Sequence, residues 1–432
     1  MIATLLFAVF LLMMFVGVPI GAALGLAGAA AIALANADAQ WFGLLAVPQN
    51  FYAGLGKYPL LAIPMFVLVG SIFDRSGVAL RLVNFAIALV GRGPGMLPLV
   101  AICVAMFLGG ISGSGPANAA AVGAVMIAAM NRAGYPASYS ASVVGAAAAT
   151  DILIPPSVAF IVYSVLVPGA SVPALFAAGM IPGVLAGIAL IVPAVWMARK
   201  HGMGHLESSL PRPPLLKSFI DAIWGLAAPV LILGGMRMGW FTPTEAAVVA
   251  VFYGLFVGLF VHRSMTLRDL FPILKESGEL SAVILLVVSL AGIFAFSLST
   301  LGVIDPITRA IVNSGLGEYG VLALLILMLI TIGMFLDGVS IFLIFVPLLW
   351  PIVQHYNWDP VWFGVLLTLK VALGQFTPPL AVNLMVSCRI ANVRMEETVR
   401  WVGPMLLAMG LVMVAVIIWP ELALWLPRVL GY

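Results

Sequence analysis

The stretch Thr150-Asp151-Ile152-Leu153-Ile154-Pro155-Pro156-Ser157 (TDILIPPS) lies inside an apolar run, Ser138 to Val167, long enough to cross a membrane as one helix. Two adjacent prolines prevent that. Each removes a backbone donor and crowds the preceding turn, so a regular helix cannot continue through Pro155 and Pro156. The freed carbonyls need partners, which hydrocarbon does not supply. Non-helical backbone at membrane depth is stable only where it is buried in protein or lines a polar cavity. The stretch therefore predicts a broken helix with a cavity beside it. A plain proline kink would use the same residues, but a second copy weighs against it: Thr377-Pro378-Pro379 interrupts another apolar run, 361–388.

Composition agrees with a membrane setting. Of 432 residues, 63% are hydrophobic and 8% charged, against roughly a quarter charged in soluble domains. The chain reads as an all-α polytopic membrane protein embedded in a lipid bilayer. A net charge of +3 is too small to suggest a nucleic-acid partner. Cys103 and Cys388 fall in apolar runs and read as buried small hydrophobes. His201, His205, His262 and His355 are scattered. The N-terminus is apolar without a basic leader or cleavage site and reads as a retained helix.

Gly, Pro and charge signals divide the chain in order. Helices are predicted over 2–16, 18–35 and 58–76, with connectors over 42–56 and 78–92. An apolar pair, 95–111 and 117–131, is split by SGSGP (112–116). The broken span 138–167 and an element at 172–197 follow. Beyond a basic loop come spans at 218–236, 242–262 and 280–301, and a connector at 303–316. A second pair, 319–335 and 339–354, is split around Leu336-Asp337-Gly338. The second broken span and a last span at 401–419 close the series.

The halves match. Pro136 and Pro360 are 224 apart, Pro155 and Pro378 are 223, Pro182 and Pro404 are 222, and Trp196 and Trp419 are 223. Interrupted segments at corresponding places in two halves point to a transporter's midplane site. The division expected is a first repeat over 1–198, a cytoplasmic linker over 199–217 and a second repeat over 218–432. Within each repeat, residues 1–92 and 218–317 form a scaffold, and 93–198 and 318–432 form transport elements. If the split pairs are re-entrant hairpins, each half crosses five times and the second is inverted. With 199–217 cytoplasmic, fourteen of the 19 Lys and Arg fall inside, Arg92 among them. Four fall outside and Lys370 lies within a span. This orientation makes the N-terminus periplasmic.

The tip Ser112-Gly113-Ser114-Gly115-Pro116-Ala117-Asn118 can turn tightly and offers hydroxyls, carbonyls and an amide. Its second arm begins as a helix N-terminus, which favours an anion, whereas exposed carbonyls and hydroxyls favour a hard cation. A Gly/Ser packing turn is the bland alternative. Asp151 and Asp337 are acids in apolar segments, where such residues are usually functional. Each reads as a cation ligand or as a cap or ion-pair member; Lys370 is the available partner for Asp337. Thr242-Pro243-Thr244-Glu245 has capping-box spacing, so Glu245 reads as a cap. Thr377 is expected to cap its half-helix likewise, and Asn383 shares the face of Pro379.

Four segments in order, GGISGSGPANAAAVG (109–123), ILIPPS (152–157), FTPTEAA (241–247) and GQFTPPLAVNL (374–384), resemble the large membrane (permease) subunit of tripartite ATP-independent periplasmic (TRAP) transporters. The resemblance runs through the whole chain. It implies an elevator-type sodium symporter with an inverted repeat, two re-entrant helical hairpins and two broken helices. It also implies a bacterial inner-membrane location, a small four-helix membrane subunit as a separate chain, and a periplasmic substrate-binding protein. The substrate implied is an organic acid such as a C4-dicarboxylate or sialic acid. Carried over by residue, one Na+ site would use Ser112, Gly113, Ser114, Asn118, Thr150 and Ile154, with Asp151 a further candidate. The other would use Gly333, Asp337, Thr377 and Pro378. Substrate would lie near Asn118, Ser157, Pro379 and Asn383. Thr150-Asp151 departs from the glycine-rich approach expected of the family, which bears on the ion site of this member. A stand-alone anion transporter of the same architecture would need no binding protein. A membrane enzyme acting on lipid would need clustered acids or histidines, and the sequence has none.

Overall fold

The computed structural model describes residues 2–35, 44–90, 93–207, 212–334, 336 and 338–432. Asp337, Arg92, the start of the 42–56 connector and part of the basic loop lie outside the described residues. Among the described residues every regular element is helical. The first half contains α1 (Ile2–Phe15), α2 (Ile20–Ala35), α3 (Ala46–Leu55), α4 (Ala62–Arg75) and α5 (Val78–Val90). It continues with α6 (Met96–Ser112), α7 (Gly115–Arg132), α8 (Ala137–Ala148), α9 (Val158–Leu166) and α10 (Val172–Lys200). The second half contains α11 (Leu215–Arg237), α12 (Pro243–Phe256), α13 (Leu270–Thr300), α14 (Ile304–Val312) and α15 (Gly317–Gly333). After these come α16 (Gly338–His355), α17 (Pro360–Gly374), α18 (Val382–Ala391), α19 (Val399–Ile418) and α20 (Glu421–Leu430).

Both prolyl pairs interrupt helices as the sequence predicts. Residues 149–157 separate α8 from α9, and 375–381 separate α17 from α18. Both Pro-Pro bonds are cis. The SGSGP segment is the sharp turn between α6 and α7. Seven described helical stretches are long and apolar enough to cross a membrane. The hairpin arms α6 and α15 and the broken-helix pieces α17 and α18 are shorter apolar helices.

Two elements differ from expectation. The span expected at 280–301 begins ten residues earlier, because Lys275, Glu276 and Glu279 sit on the helix itself. Arg75 pairs with Glu276 at 3.0 Å, and Lys275 approaches Glu279 one turn on. Charges that look like a loop are the solvated end of α13. The second is α20, an amphipathic helix after the last expected span, with the Glu421–Arg428 ion pair on its exposed side.

Packing is close where residues are small. Helix α2 lies along α13, and a Cβ on Gly28 would stand 3.0 Å from the Phe294 backbone, the small-residue contact that lets membrane helices approach. Helix α4 lies along α12 and α5 along α11. The elements after the two breaks are exchanged between halves: α9 packs on α16, and α18 packs on α7 and α8. The base of the α6–α7 pair is anchored by Glu207. Its carboxylate accepts the Leu97 N–H at 2.9 Å and the Tyr135 hydroxyl at 2.5 Å, while Tyr135 accepts the Gly95 N–H at 2.7 Å. Burial raises the Glu207 carboxyl above its ordinary range, and these donors pull part of the way back.

Candidate functional site

The α6–α7 tip sits against the first break. Gly113 has φ +61°, and a Cβ there would stand 2.6 Å from the Pro156 carbonyl oxygen, so backbone and space both require glycine. Ser112 donates to Asp151 Oδ2 at 3.2 Å. Asp151 is fully buried, and its Oδ1 has no hydrogen-bond partner. Ser114 precedes α7 and makes no capping bond through its side chain. A buried carboxylate oxygen without a donor, beside hydroxyls and the carbonyl end of α6, is a donor set suited to an oxygen-seeking cation. No cluster of three His, Cys, Asp or Glu side chains exists among the described residues.

The neighbouring polar groups serve the break itself. Thr150 donates to the Ala147 carbonyl at 2.8 Å, and its own carbonyl accepts from Leu153 and Ile154. The buried Ile154 packs toward α10, where a Cβ on Gly183 would stand 2.8 Å from Ile154 Cγ1. Ser157 donates to the Ile152 carbonyl at 2.6 Å and accepts the Phe160 N–H, capping α9. Asn118 ties α7 to α6 through the Ala105 carbonyl at 2.8 Å, leaving its Oδ1 without a partner.

At the second break, Thr377 donates to the Leu373 carbonyl at 2.6 Å. This corrects the expectation that it caps the following half-helix. The hydroxyl closes the end of α17, and Ala381, with φ +37°, precedes α18 without a side-chain cap. Gly374 lies close to Gly333, whose carbonyl oxygen would be 2.9 Å from a Cβ on it. Lys370 is 1% exposed, its Nζ has no hydrogen-bond partner, and it abuts Gly333 at the end of α15. Asn383 donates to Gln375 Oε1 at 2.9 Å, and its backbone N–H reaches the Gln375 carbonyl at 3.0 Å. Pro378 is half-buried and Pro379 exposed.

The two sites meet. A Cβ on Gly115, at the start of α7, would stand 2.6 Å from Gln375 Oε1 and 2.7 Å from the Asn383 amide. Between them opens a cavity of about 430 Å³. Its wall includes Ser112, Gly113, Ser114 and Gly115 from the first tip, and Gly333 and Gly338 beside the second. Gly374 and Gln375 come from the second break, and Ile152 and Val158 from the first. Helix α4 contributes Gly70 and Ser71, and α13 contributes Leu280 and Ile284. Of the residues expected to bind, Ser112, Gly113, Ser114 and Gly333 reach this wall. Asn118, Thr150, Asp151, Ile154, Ser157 and Asn383 are buried away from it, and Thr377, Pro378 and Pro379 are not part of it. Gln375 and Ser71 were missed. Each is a lone polar residue in an apolar stretch, and Gln375 stands two residues before the Thr-Pro-Pro break.

The family model described as tripartite ATP-independent periplasmic transporter, DctM component, matches residues 7–422. The chain is 33% identical to the C4-dicarboxylate TRAP transporter large permease protein DctM of Rhodobacter capsulatus, over the full length of both. Over 94% of its length it is 36% identical to the isethionate TRAP transporter permease protein DctMQ of Oleidesulfovibrio alaskensis, of which it spans 63%. Among solved structures it resembles the Alcanivorax borkumensis YdaH transporter. The TM-score is 0.56 at 14% identity, over 89% of this chain and 91% of that one, a likeness of fold.

Proposed function

The chain belongs to the DctM component family of tripartite ATP-independent periplasmic transporters, and from that premise we propose that it imports an organic acid driven by a sodium gradient. It is a multi-pass membrane protein and a transporter subunit rather than an enzyme. The substrate would be a C4-dicarboxylate, sialic acid or a similar acid, delivered by a periplasmic binding protein. A small four-helix membrane subunit would complete the assembly in the bacterial inner membrane. The coupling sodium would enter the first tip and break, where Asp151 and Ser112 lie, and the acid would occupy the cavity between the two sites.

The observation that carries this reading is a cavity walled by the first tip, by residues beside the second and by both breaks. Ion and substrate sites that share the Gly115–Gln375–Asn383 contact can sense each other's occupancy. If residues 93–198 and 318–432 move together against the remainder as an elevator, that contact travels with them. The experiment is uptake of candidate organic acids into liposomes under an inward sodium gradient, with and without the periplasmic protein. Uptake that requires the added protein is expected. Equal uptake without it would identify a stand-alone transporter instead.

A further inference from the structure

Helix α20 follows the last membrane-spanning helix and takes no part in the cavity or the breaks. Its residues fall into three sides. Ala423, Leu424 and Pro427 are buried, where α20 packs on α10 and α17. Glu421 and Arg428, two turns apart, form an exposed ion pair. Trp425 and Val429, one turn apart, are 53% and 58% exposed. At about 3.6 residues per turn, the ion pair lies between the buried side and the Trp425–Val429 side. The depth of α20 follows from α19. Arg394, Glu396, Glu397 and Arg400 stand at the start of α19, and no charged residue occurs from Trp401 to Pro420. Its 20 residues rise about 30 Å, the thickness of the hydrocarbon layer. The chain therefore reaches the opposite membrane surface near Trp419 and turns into α20 there. Leu407, Leu411, Val414 and Ile418 form an exposed stripe along α19, and Trp419 beyond them is exposed too.

We propose that α20 lies in the membrane surface as an interfacial anchor, with Trp425 and Val429 inserted between lipid headgroups and upper acyl chains and the Glu421–Arg428 pair in the water above. Lipid is the partner of the exposed apolar side. Exposed charges keep a helix out of hydrocarbon, and tryptophan favours the headgroup level, where one part of the ring is apolar and the N–H is wet. Protein on one side, charges on the next and Trp with an aliphatic residue on the third fit the boundary between water and acyl chains. The exposed stripe of α19, the face a spanning helix turns to lipid, runs up to Ile418, just before α20. Helix α17 carries Val371 and Gly374 of the cavity wall, so the anchor holds that part of the cavity frame to the membrane surface. The inference depends on neither sodium nor substrate, and its failure would leave the transport reading untouched.

The test places a nitroxide label on Trp425→Cys, Val429→Cys or Glu421→Cys, each in the full chain in phospholipid nanodiscs, alone and in the complete assembly. Wild type taken through the same labelling gives the background from Cys103 and Cys388. Collisions with oxygen, which concentrates in lipid, are compared with collisions with a water-soluble nickel chelate. Oxygen is expected to dominate for the labels at 425 and 429, and the chelate for the label at 421. Chelate dominance at 425 and 429 would put that side in water and overturn the proposal. Exclusion of both reagents there, in either preparation, would mean that a second copy or another subunit covers it, and also overturns it. Oxygen dominance at 421 as well would sink the whole helix into hydrocarbon and contradict the surface position. Should Trp425→Cys fail to fold, Val429→Cys gives the same reading.

Discussion

Asp151 is the residue on which ion binding should depend most, because it brings an ionisable carboxyl group with an unpartnered oxygen to a buried tip. Asp151→Asn keeps the shape and removes the charge. The expected result is a sodium activation constant raised roughly tenfold or more, about 1.4 kcal/mol, read from uptake against sodium concentration. Gly115→Ala is expected to abolish uptake while the protein still inserts and purifies, since the added methyl runs into Gln375 and Asn383 where the tip touches the second break. At this scale the sequence was legible for the tip glycines and for the position of Asp151 beside them. The partners of the hydroxyls were not legible. Prolines free carbonyls, and Ser157, Thr150 and Thr377 each donate to a nearby backbone carbonyl, keeping their oxygen lone pairs. Gln375 carries no motif of its own, and its position on the cavity wall follows from the path of the chain after Gly374.

Elements were more legible than residues. Two prolyl pairs and an SGSGP turn are sufficient to place both breaks and the first hairpin. Thr242-Pro243-Thr244-Glu245 closes as a capping box, with the Thr242 N–H donating to Glu245 Oε2 at 2.8 Å and the Glu245 N–H to Thr242 Oγ1 at 3.3 Å. Thr242→Ala should cost about 1 kcal/mol as a lowered melting temperature, with sodium affinity unchanged. Ser157→Ala removes the cap of α9 at a similar cost of about 1 kcal/mol. Because α9 packs on α16 of the other half, uptake should also fall, which separates the two caps in a paired measurement. The start of α13 was not legible, because a charge-rich helix end and a charged loop have the same composition. Contact with Arg75 settles which it is.

At the scale of the molecule, the offset of 222 to 224 residues between landmark prolines anticipated a chain whose halves repeat their elements in order. What no offset can convey is how the halves interlock, with α9 on α16 and α18 on α7 around one cavity. That arrangement underlies the central claim, that organic-acid movement through this cavity is tied to sodium. The direct measurement is initial uptake of labelled organic acid into liposomes holding the complete assembly, with the binding protein outside. An inward sodium gradient is compared with an equal potassium gradient at the same membrane potential. Uptake under sodium, at background under potassium, is the expected result. Equal uptake under both ions would contradict it.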